Sequence, residues 1–204
     1  ISIPYSYQSP SSYVNTNIIG TLNILEACRK FNVKKLLHTS TSEVYGSAQY
    51  TPIDEKHPLN AQSPYAATKI AADQLVLSYY KSFNLPATII RPFNTFGPRQ
   101  SLRAVIPTII TQVLNGKKEI KLGSTSTRRD FTHAKDTANG FISALKVKNI
   151  NGEIINLGTG VNFSIKDVIK IISKITNTKI KIITDKQRLR PKKSEVSNLL
   201  SNNR

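Results

Sequence analysis

A tyrosine and a lysine one helical turn apart are the residues of this sequence best placed to move a proton. Segment 63–69 reads Ser-Pro-Tyr-Ala-Ala-Thr-Lys, and of the eight tyrosines only Tyr65 has a lysine four positions later. Ser63 is a typical N-cap and Pro64 suits the first helical position, so Tyr65 and Lys69 are predicted on one helix face. An ammonium beside a phenol favours the phenolate, and we expect Lys69 to lower the pKa of Tyr65 from about 10. Such a tyrosine can take a proton from a sugar hydroxyl.

A second polar cluster follows a predicted strand. Segment 33–39 has the apolar middle of a buried strand, and segment 40–46 directly after it reads Ser-Thr-Ser-Glu-Val-Tyr-Gly. Hydroxyl groups and a carboxylate at the carboxyl end of a strand lie where open α/β sheets bind ligands. The Tyr-x-x-x-Lys spacing alone also fits an ordinary exposed helix face. The cluster upstream favours the chemical interpretation.

Strands and helices alternate along the rest of the chain. Predicted strands cover 33–39, 87–91, 119–133, 153–157 and 179–183, and predicted helices cover 15–31, 63–83, 104–114, 134–146, 165–175 and 191–200. Residues 1–12, rich in Ser, Pro and Tyr, are expected to form a loop. This alternation favours an α/β fold with a parallel sheet and helices on both faces.

The composition narrows the classes of function. The net charge is +17 over 204 residues. From residue 165 onward the chain has eleven Lys and Arg residues and three Asp and Glu residues. No zinc finger, RNA-binding signature or aromatic stacking motif accompanies these cations. We therefore expect them to lie on a solvated surface and expect no nucleic-acid partner; the alternative is a basic nucleic-acid-binding protein. We see no secretory signal and no apolar run that could span a bilayer, and expect no membrane partner. The single Cys28 fits a reducing cytoplasm, and the three His lack metal-ligand spacing.

Three segments together resemble a known family. They are Ser-Thr-Ser-Glu-Val-Tyr-Gly at 40–46, Ser-Pro-Tyr-Ala-Ala-Thr-Lys at 63–69 and Arg-Pro-Phe-Asn-Thr-Phe-Gly-Pro-Arg at 91–99. They are similar to the extended short-chain dehydrogenases/reductases that act on nucleotide sugars. Within that family the chain most resembles the NAD-dependent nucleotide-sugar 4,6-dehydratases, over about residues 5–200. The continuation Gln-Ser-Leu-Arg-Ala-Val-Ile-Pro at 100–107 resembles the bacterial branch that serves N-acetylated hexoses in surface-polysaccharide synthesis.

The resemblance implies a partial doubly wound, Rossmann-type parallel sheet without its N-terminal half, plus a small C-terminal substrate lobe. Residues 1–97 with 134–160 would form the remainder of the NAD-binding domain, and residues 98–133 with 161–204 the nucleotide-sugar lobe. The sequence starts at Ile1, contains no Met and has no Gly-x-Gly-x-x-Gly, the turn that cradles dinucleotide phosphates. We therefore expect a piece of a longer protein. That protein would be cytoplasmic and homodimeric, with NAD as cofactor and a nucleotide sugar as substrate.

The resemblance also implies a role for each site residue. Tyr65 would take the proton of the sugar 4-hydroxyl, and Thr41 would hydrogen-bond the same oxygen. Glu43 would remove the proton on carbon 5 once carbon 4 is oxidised. The implied cofactor-binding residues are Ser40, Tyr65, Lys69 and Pro92, and the implied substrate-binding residues are Asn94, Arg103, Arg129 and Arg190.

One departure from the family pattern leaves alternatives open. Ser42 stands where many of these dehydratases have an Asp that protonates the leaving hydroxyl, so Glu43 would both take and give the proton. Nucleotide-sugar decarboxylases share Thr-Ser-Glu-Val-Tyr-Gly, whereas simple 4-epimerases usually have a small residue at the position of Glu43. The alternatives are a decarboxylase or a 4-epimerase of the same family, or an inactive scaffold fragment.

Overall fold

The computed structural model describes residues 3–203, over which strands and helices alternate. The helices are α1 (Ile3–Gln8), α2 (Pro10–Tyr13), α3 (Gly20–Lys30), α4 (Pro64–Phe83), α5 (Val105–Leu114), α6 (Ala134–Lys146) and α7 (Ile165–Ile175). The strands are β1 (Leu36–Thr39), β2 (Ala87–Pro92), β3 (Asn94–Phe96), β4 (Glu119–Leu122), β5 (Arg128–His133), β6 (Ile154–Leu157), β7 (Asn162–Ser164) and β8 (Lys181–Thr184).

A parallel sheet with the strand order β1–β2–β6 positions the site. Leu36 on β1 pairs with Ala87 on β2, and Ile89 on β2 pairs with Ile154 on β6. Helices α3 and α4 pack against each other and share an apolar cluster with the sheet, to which Leu25, Cys28, Val76, Tyr79, Leu85, Ala87 and Ile89 belong. The predicted partial Rossmann-type parallel sheet is confirmed. Its carboxyl edge is where the segments after β1 and β2 meet.

The other strands form two smaller sheets. Strand β5 lies between β3, to which it is parallel, and β7, to which it is antiparallel. Strands β4 and β8 pair in parallel, and β4 packs with α5 and α7 in a second apolar core. The buried side chains of this second core are Ile109, Val113, Ile120, Leu122, Ile165, Val168, Ile169 and Ile172. A capping box of Ser164 and Asp167 begins α7, because each side chain bonds the other residue's backbone amide.

The expected loop over residues 1–12 is wrong where the structure describes it. Residues 3–8 form α1 and residues 10–13 form α2. A π-helix (Val14–Ile19) continues directly from α2 into α3, so the predicted helix start at residue 15 is too late. Pro10 stands at the first turn of α2, and the buried Ser6 hydroxyl donates to the Ile3 carbonyl at 2.7 Å. Both α1 and α2 contact α4. Tertiary packing therefore overrides the turn-like composition; Ile1 and Ser2 lie outside the described residues.

The predicted helix over 191–200 is also wrong. A short 3₁₀ turn (Lys192–Ser194) is followed by extended chain that runs along β5. The Arg128 amide donates to the Ser197 carbonyl at 2.9 Å, and the Asp130 amide donates to the Leu199 carbonyl at 3.0 Å. Leu199 is fully buried. Hydrogen bonding to a strand edge, together with apolar burial, outweighs local helix preference here.

None of the helices described over residues 3–203 has the length and the apolar composition that spanning a lipid bilayer requires. Over the same part of the chain, no group of three or more His, Cys, Asp or Glu side chains could hold a metal ion.

Candidate active site

The turn after β1 positions the first group of polar side chains. Thr41 is extended and caps a 3₁₀ helix (Ser42–Tyr45), because its hydroxyl accepts from the Glu43 amide at 3.2 Å. This turn buries the Glu43 side chain at the sheet edge. Gly46 closes the turn with φ of +64°, and a Cβ there would lie 2.4 Å from the Asn60 carbonyl oxygen. A glycine is therefore required at this position.

Helix α4 brings the predicted Tyr65 and Lys69 to the same edge. The Ser63 hydroxyl caps the helix by accepting from the Ala66 amide at 3.1 Å, and Pro64 follows it, as predicted. Tyr65 and Lys69 are both buried. Asn17, which lies in the π-helix before α3, contacts the start of α4, since its side-chain amide nitrogen donates to the Thr68 hydroxyl at 2.9 Å.

The expected lowering of the Tyr65 pKa is wrong. The pKa of Tyr65 is raised to about 12, and burial is the largest cause. Its hydrogen bond with Thr41 lowers the pKa, whereas the charge of nearby Glu43 raises it. The Lys69 ammonium instead donates to the Thr39 carbonyl at 2.5 Å. Burial lowers the pKa of Lys69, which the charge of Asp73 counteracts. Desolvation of the phenol, rather than the nearby ammonium, therefore sets the direction of the Tyr65 pKa shift.

A buried ion pair beneath these residues was missed by the sequence reasoning. The Asp73 carboxylate accepts from the Ser40 hydroxyl at 2.8 Å and from Nε and Nη2 of Arg91 at 3.1 and 3.0 Å. Asp73 and Arg91 are fully buried. Asp73 follows Lys69 by four residues and Tyr65 by eight, so the spacing alone indicates that all three share one helix face.

Two of the predicted substrate-binding arginines, Arg129 and Arg190, lie in a cluster with Glu43 and Glu195. Nη1 of Arg190 lies 3.6 Å from Oε2 of Glu43. The guanidinium groups of Arg129 and Arg190 each lie 3.9 Å from Oε1 of Glu195, a residue that sequence reasoning did not identify. Burial lowers the pKa of Arg129, and the neighbouring Glu43 raises it. Carboxylates and guanidinium groups thus alternate in one cluster beside Tyr65.

The remaining predicted residues divide into two groups. Pro92 ends β2 and Asn94 begins β3, at the carboxyl edge of the sheet. Oδ1 of Asn94 is buried and has no hydrogen-bond partner among the described residues. Arg103, in contrast, is exposed in the turn before α5 and forms none of the ion pairs found between residues 3 and 203. The structure therefore does not bring Arg103 to the cluster.

A buried phenol and a buried carboxylate at one sheet edge can carry out proton transfer, and the adjacent guanidinium groups can hold an anion. Comparison with known proteins identifies the family to which the chain is similar. The family model described as GDP-mannose 4,6 dehydratase matches residues 1–203.

Among curated relatives, a dTDP-D-glucose 4,6-dehydratase of Dictyostelium discoideum is 36% identical over 182 residues, covering 84% of this chain and 42% of the relative. A putative UDP-glucose 4-epimerase of Methanocaldococcus jannaschii is 33% identical over 192 residues, covering 92% of this chain and 62% of the relative. The chain therefore spans about half the length of these relatives. A solved NAD-dependent NDP-hexosamine 5,6-dehydratase involved in tunicamycin biosynthesis superposes with a TM-score of 0.89 at 27% identity, covering 99% of this chain and 65% of that one.

Proposed function

The chain belongs to the family of nucleotide-sugar 4,6-dehydratases and epimerases, and from this premise we propose that the whole protein is an NAD-dependent nucleotide-sugar 4,6-dehydratase. The observation that carries the proposal is the buried carboxylate of Glu43, close enough to raise the pKa of the Tyr65 phenol. The proposed substrate is an NDP-hexose, preferably an N-acetylhexosamine, and the product is its 4-keto-6-deoxy form. The similar solved NDP-hexosamine dehydratase supports the hexosamine preference.

The residues at the sheet edge fit the nicotinamide and ribose end of NAD. NAD, when bound, accepts a hydride from the sugar and later returns it. Ser40 directly follows β1, and Pro92 is the last residue of β2. The carboxyl ends of parallel strands are where such sheets bind nucleotides. The buried Lys69 ammonium has three N–H donors, and its hydrogen bond to the Thr39 carbonyl uses one of them. Lys69 and Tyr65 would therefore hold the ribose hydroxyls.

Each catalytic side chain has a separate task in the proposed reaction. Thr41 hydrogen-bonds the sugar 4-oxygen while Tyr65 takes the proton of the 4-hydroxyl, which leaves a carbonyl at carbon 4. That carbonyl acidifies the proton on carbon 5, and Glu43 removes it. Glu43 then protonates the departing 6-hydroxyl, because the neighbouring Ser42 is a poor acid; the C–O bond breaks, water leaves, and a double bond remains between carbons 5 and 6. The returned hydride would add to carbon 6 and a proton would add to carbon 5, in balance with the one that Tyr65 removed, which gives the 4-keto-6-deoxy product.

The anionic half of the substrate is assigned to the arginine cluster. Arg129 and Arg190 would hold the diphosphate, since guanidinium groups offer paired donors to phosphate oxygens. The buried and unpartnered Oδ1 of Asn94 would accept a hydrogen bond from the substrate. Four further expectations also remain proposals. They are the division into an NAD-binding domain and a substrate lobe, the cytoplasmic homodimer, a role in surface-polysaccharide synthesis, and the absence of a nucleic-acid partner.

The variant Glu43→Gln, made in the whole protein, tests this function. It keeps the shape of Glu43 but removes the base, so the sugar should still be oxidised, visible as transient absorbance of reduced nicotinamide. Formation of the 4-keto-6-deoxy product should fall by about 10²–10⁴, the usual worth of a general base. Exchange of the carbon-5 hydrogen with deuterated water should slow in parallel.

Two alternatives give different results in the same assays. A 4-epimerase needs no base at carbon 5, so Glu43→Gln would leave its turnover unchanged; the epimerase among the relatives keeps this candidate open. A decarboxylase would release carbon dioxide from an NDP-uronic acid. Either outcome would replace the dehydratase assignment.

A further inference from the structure

Arg91 is a buried cation on β2 that takes no part in the proton transfers of the proposed reaction. Its guanidinium forms hydrogen bonds on two sides. Nε and Nη2 donate to Oδ2 of Asp73 at 3.1 and 3.0 Å, and Nη1 donates to the Tyr45 hydroxyl at 2.9 Å. A guanidinium is planar, and its N–H donors point in fixed directions. The two acceptors are therefore held at a fixed separation.

These two acceptors belong to the two elements that carry the proposed bases. Asp73 lies on α4, about two helical turns after Tyr65. Tyr45 is the last residue of the 3₁₀ helix that follows β1, two residues after Glu43. The guanidinium of Arg91 thus connects the helix that holds one base to the turn that holds the other.

The Tyr45 hydroxyl fastens that turn to the sheet. It accepts from Arg91 and donates to Oδ1 of Asn156 on β6 at 2.8 Å. Burial raises the pKa of Tyr45, against a lowering by the charge of Arg91, so the hydroxyl stays protonated and keeps its role as a donor. The Asn156 side-chain amide donates in turn to the Ile53 carbonyl at 3.2 Å. The turn is therefore connected to both β2 and β6.

Helix α4 has connections to β1 that do not pass through Tyr45. The Lys69 ammonium donates to the Thr39 carbonyl at 2.5 Å, and Asp73 accepts from the Ser40 hydroxyl at 2.8 Å. Both contacts would survive the loss of the Tyr45 hydroxyl. That loss should therefore displace the turn with its carboxylate more than it displaces the phenol on α4.

We propose that Arg91 is a positioning residue that, through the hydroxyl of Tyr45, sets the place of Glu43 relative to Tyr65. This inference rests on the proposed function, in which Tyr65 acts at the 4-hydroxyl and Glu43 acts at carbon 5. Arg91 and Tyr45 are fully buried, so they act through the two bases and not on the sugar. The two bases work on neighbouring carbons of one ring, and their separation decides whether the second proton is within reach after the first transfer.

The test compares the two steps in the whole protein and in its variants Tyr45→Phe and Arg91→Lys. Each protein is mixed with UDP-N-acetylglucosamine, dTDP-glucose or GDP-mannose. Absorbance of reduced nicotinamide follows oxidation at carbon 4, and exchange with deuterated water follows proton removal at carbon 5. In both variants the exchange should slow by about tenfold, the net worth of one hydrogen bond. Oxidation should keep the wild-type rate, so that reduced nicotinamide accumulates.

The two variants disturb the network in different ways. Tyr45→Phe removes only the hydroxyl, and Arg91→Lys keeps the charge opposite Asp73 but cannot donate on both sides at once. The matched control is Tyr50→Phe, because the Tyr50 hydroxyl donates to Asp54 at 2.8 Å in an exposed contact outside the network. This control should leave both rates unchanged. A thermal melt shows which variants are folded, and one folded variant is enough for the comparison.

The outcomes separate this inference from the proposed function. Equal slowing of both steps, slowing of oxidation alone, or no change in the folded variants overturns the inference while the function stands. Loss of folding in both variants assigns the network to stability and overturns it as well. If the wild-type protein shows no carbon-5 exchange with any of the three nucleotide sugars, the proposed function fails and the inference falls with it.

Discussion

Tyr65 is a phenol that its surroundings hold in the protonated form. Its ring is buried and meets the Tyr13 ring edge to face, with 6.0 Å between the centroids. Burial is the largest cause of the rise of its pKa to about 12, and Glu43 and Asp73 add to it. In the proposed reaction, Tyr65 can therefore accept the proton of the sugar only after it has given up its own. The proton balance of the site therefore depends on the charges around Tyr65 as much as on its helix spacing.

The raised pKa predicts an alkaline titration specific to Tyr65. The difference in phenolate absorbance between the wild-type protein and Tyr65→Phe should appear only as the pH approaches about 12. In denaturant the same difference should have a midpoint near the ordinary tyrosine value of about 10. Since the folded pKa exceeds the unfolded one, this group's contribution to stability is complete below pH 10. It is lost as the pH rises through 12. A folded-state midpoint at or below 10 would contradict the burial argument.

Short spacings account for the part of the site that sequence could predict. Tyr65 and Lys69 share one helix turn, and Thr41 and Glu43 share one strand-end turn, so local rules place each pair. Glu195 reaches Arg129 because the chain returns along β5, and no local spacing encodes that return. The direction of the Tyr65 pKa shift depends on burial in three dimensions, which the Tyr-x-x-x-Lys pattern does not reveal.

Helix α4, which carries Tyr65 and Lys69, is joined to the ends of two strands through the carboxylate of Asp73. Asp73 accepts from Ser40, which follows β1, and from Arg91 on β2. Arg91 in turn donates to the Tyr45 hydroxyl at 2.9 Å. The side chain of Asp73 therefore fixes the distance between the helix that holds Tyr65 and the strand ends that complete the site.

The variant Asp73→Asn should destabilise the fold by about 3–5 kcal/mol, because it leaves the buried Arg91 guanidinium without its counter-ion. Denaturant unfolding measures the change. Replacing both partners, as in Asp73→Leu with Arg91→Met, should cost less than Asp73→Asn alone, since no unpaired charge stays buried. The control Glu119→Gln, in an exposed ion pair with Lys181, should leave the midpoint unchanged. Equal losses in the single and the double variant would show that the ion pair is not the cause.

Elements marked by local signals, such as an N-cap, a first-turn proline or an apolar period, were predictable, and elements fixed by distant partners were not. The predictions for α4 to α7 and for the three central strands matched within a few residues. Residues 3–13 are helical because they pack on α4, despite their Ser and Pro content. Residues 191–200 have helix-compatible spacing, but their backbone pairs with β5 instead. In both segments a tertiary contact outweighed the local preference of the sequence.

The distribution of charge over the molecule supports the proposed ligand class. The chain carries a net charge of +17, yet the buried cations at the site are compensated by Glu43 and Glu195. The surplus positive charge therefore lies outside this cluster. A positive net charge of this size raises the association rate of anionic ligands such as nucleotide sugars, with a dependence on ionic strength.

The last prediction concerns the 204-residue chain expressed by itself. Its sequence has no Gly-x-Gly-x-x-Gly to cradle a pyrophosphate, and among the described residues β1 pairs only with β2. Near that open edge, a surface groove is lined by apolar residues that include Ile24, Leu36 and Leu37. We expect the chain alone to bind NAD far more weakly than the whole protein and to self-associate through the open edge.

Calorimetry with NAD and sedimentation at increasing protein concentration measure the two effects. The variant Leu37→Lys places a charge on the open strand, and charges on edge strands oppose pairing between chains. It should therefore reduce association relative to the unmodified chain. Val161→Lys is the matched control, because Val161 is exposed in the turn between β6 and β7 and should leave association unchanged. If the isolated chain binds NAD as tightly as the whole protein does, residues 1–204 already hold the entire cofactor. The expectation that part of the NAD site lies outside residues 1–204 would then be wrong.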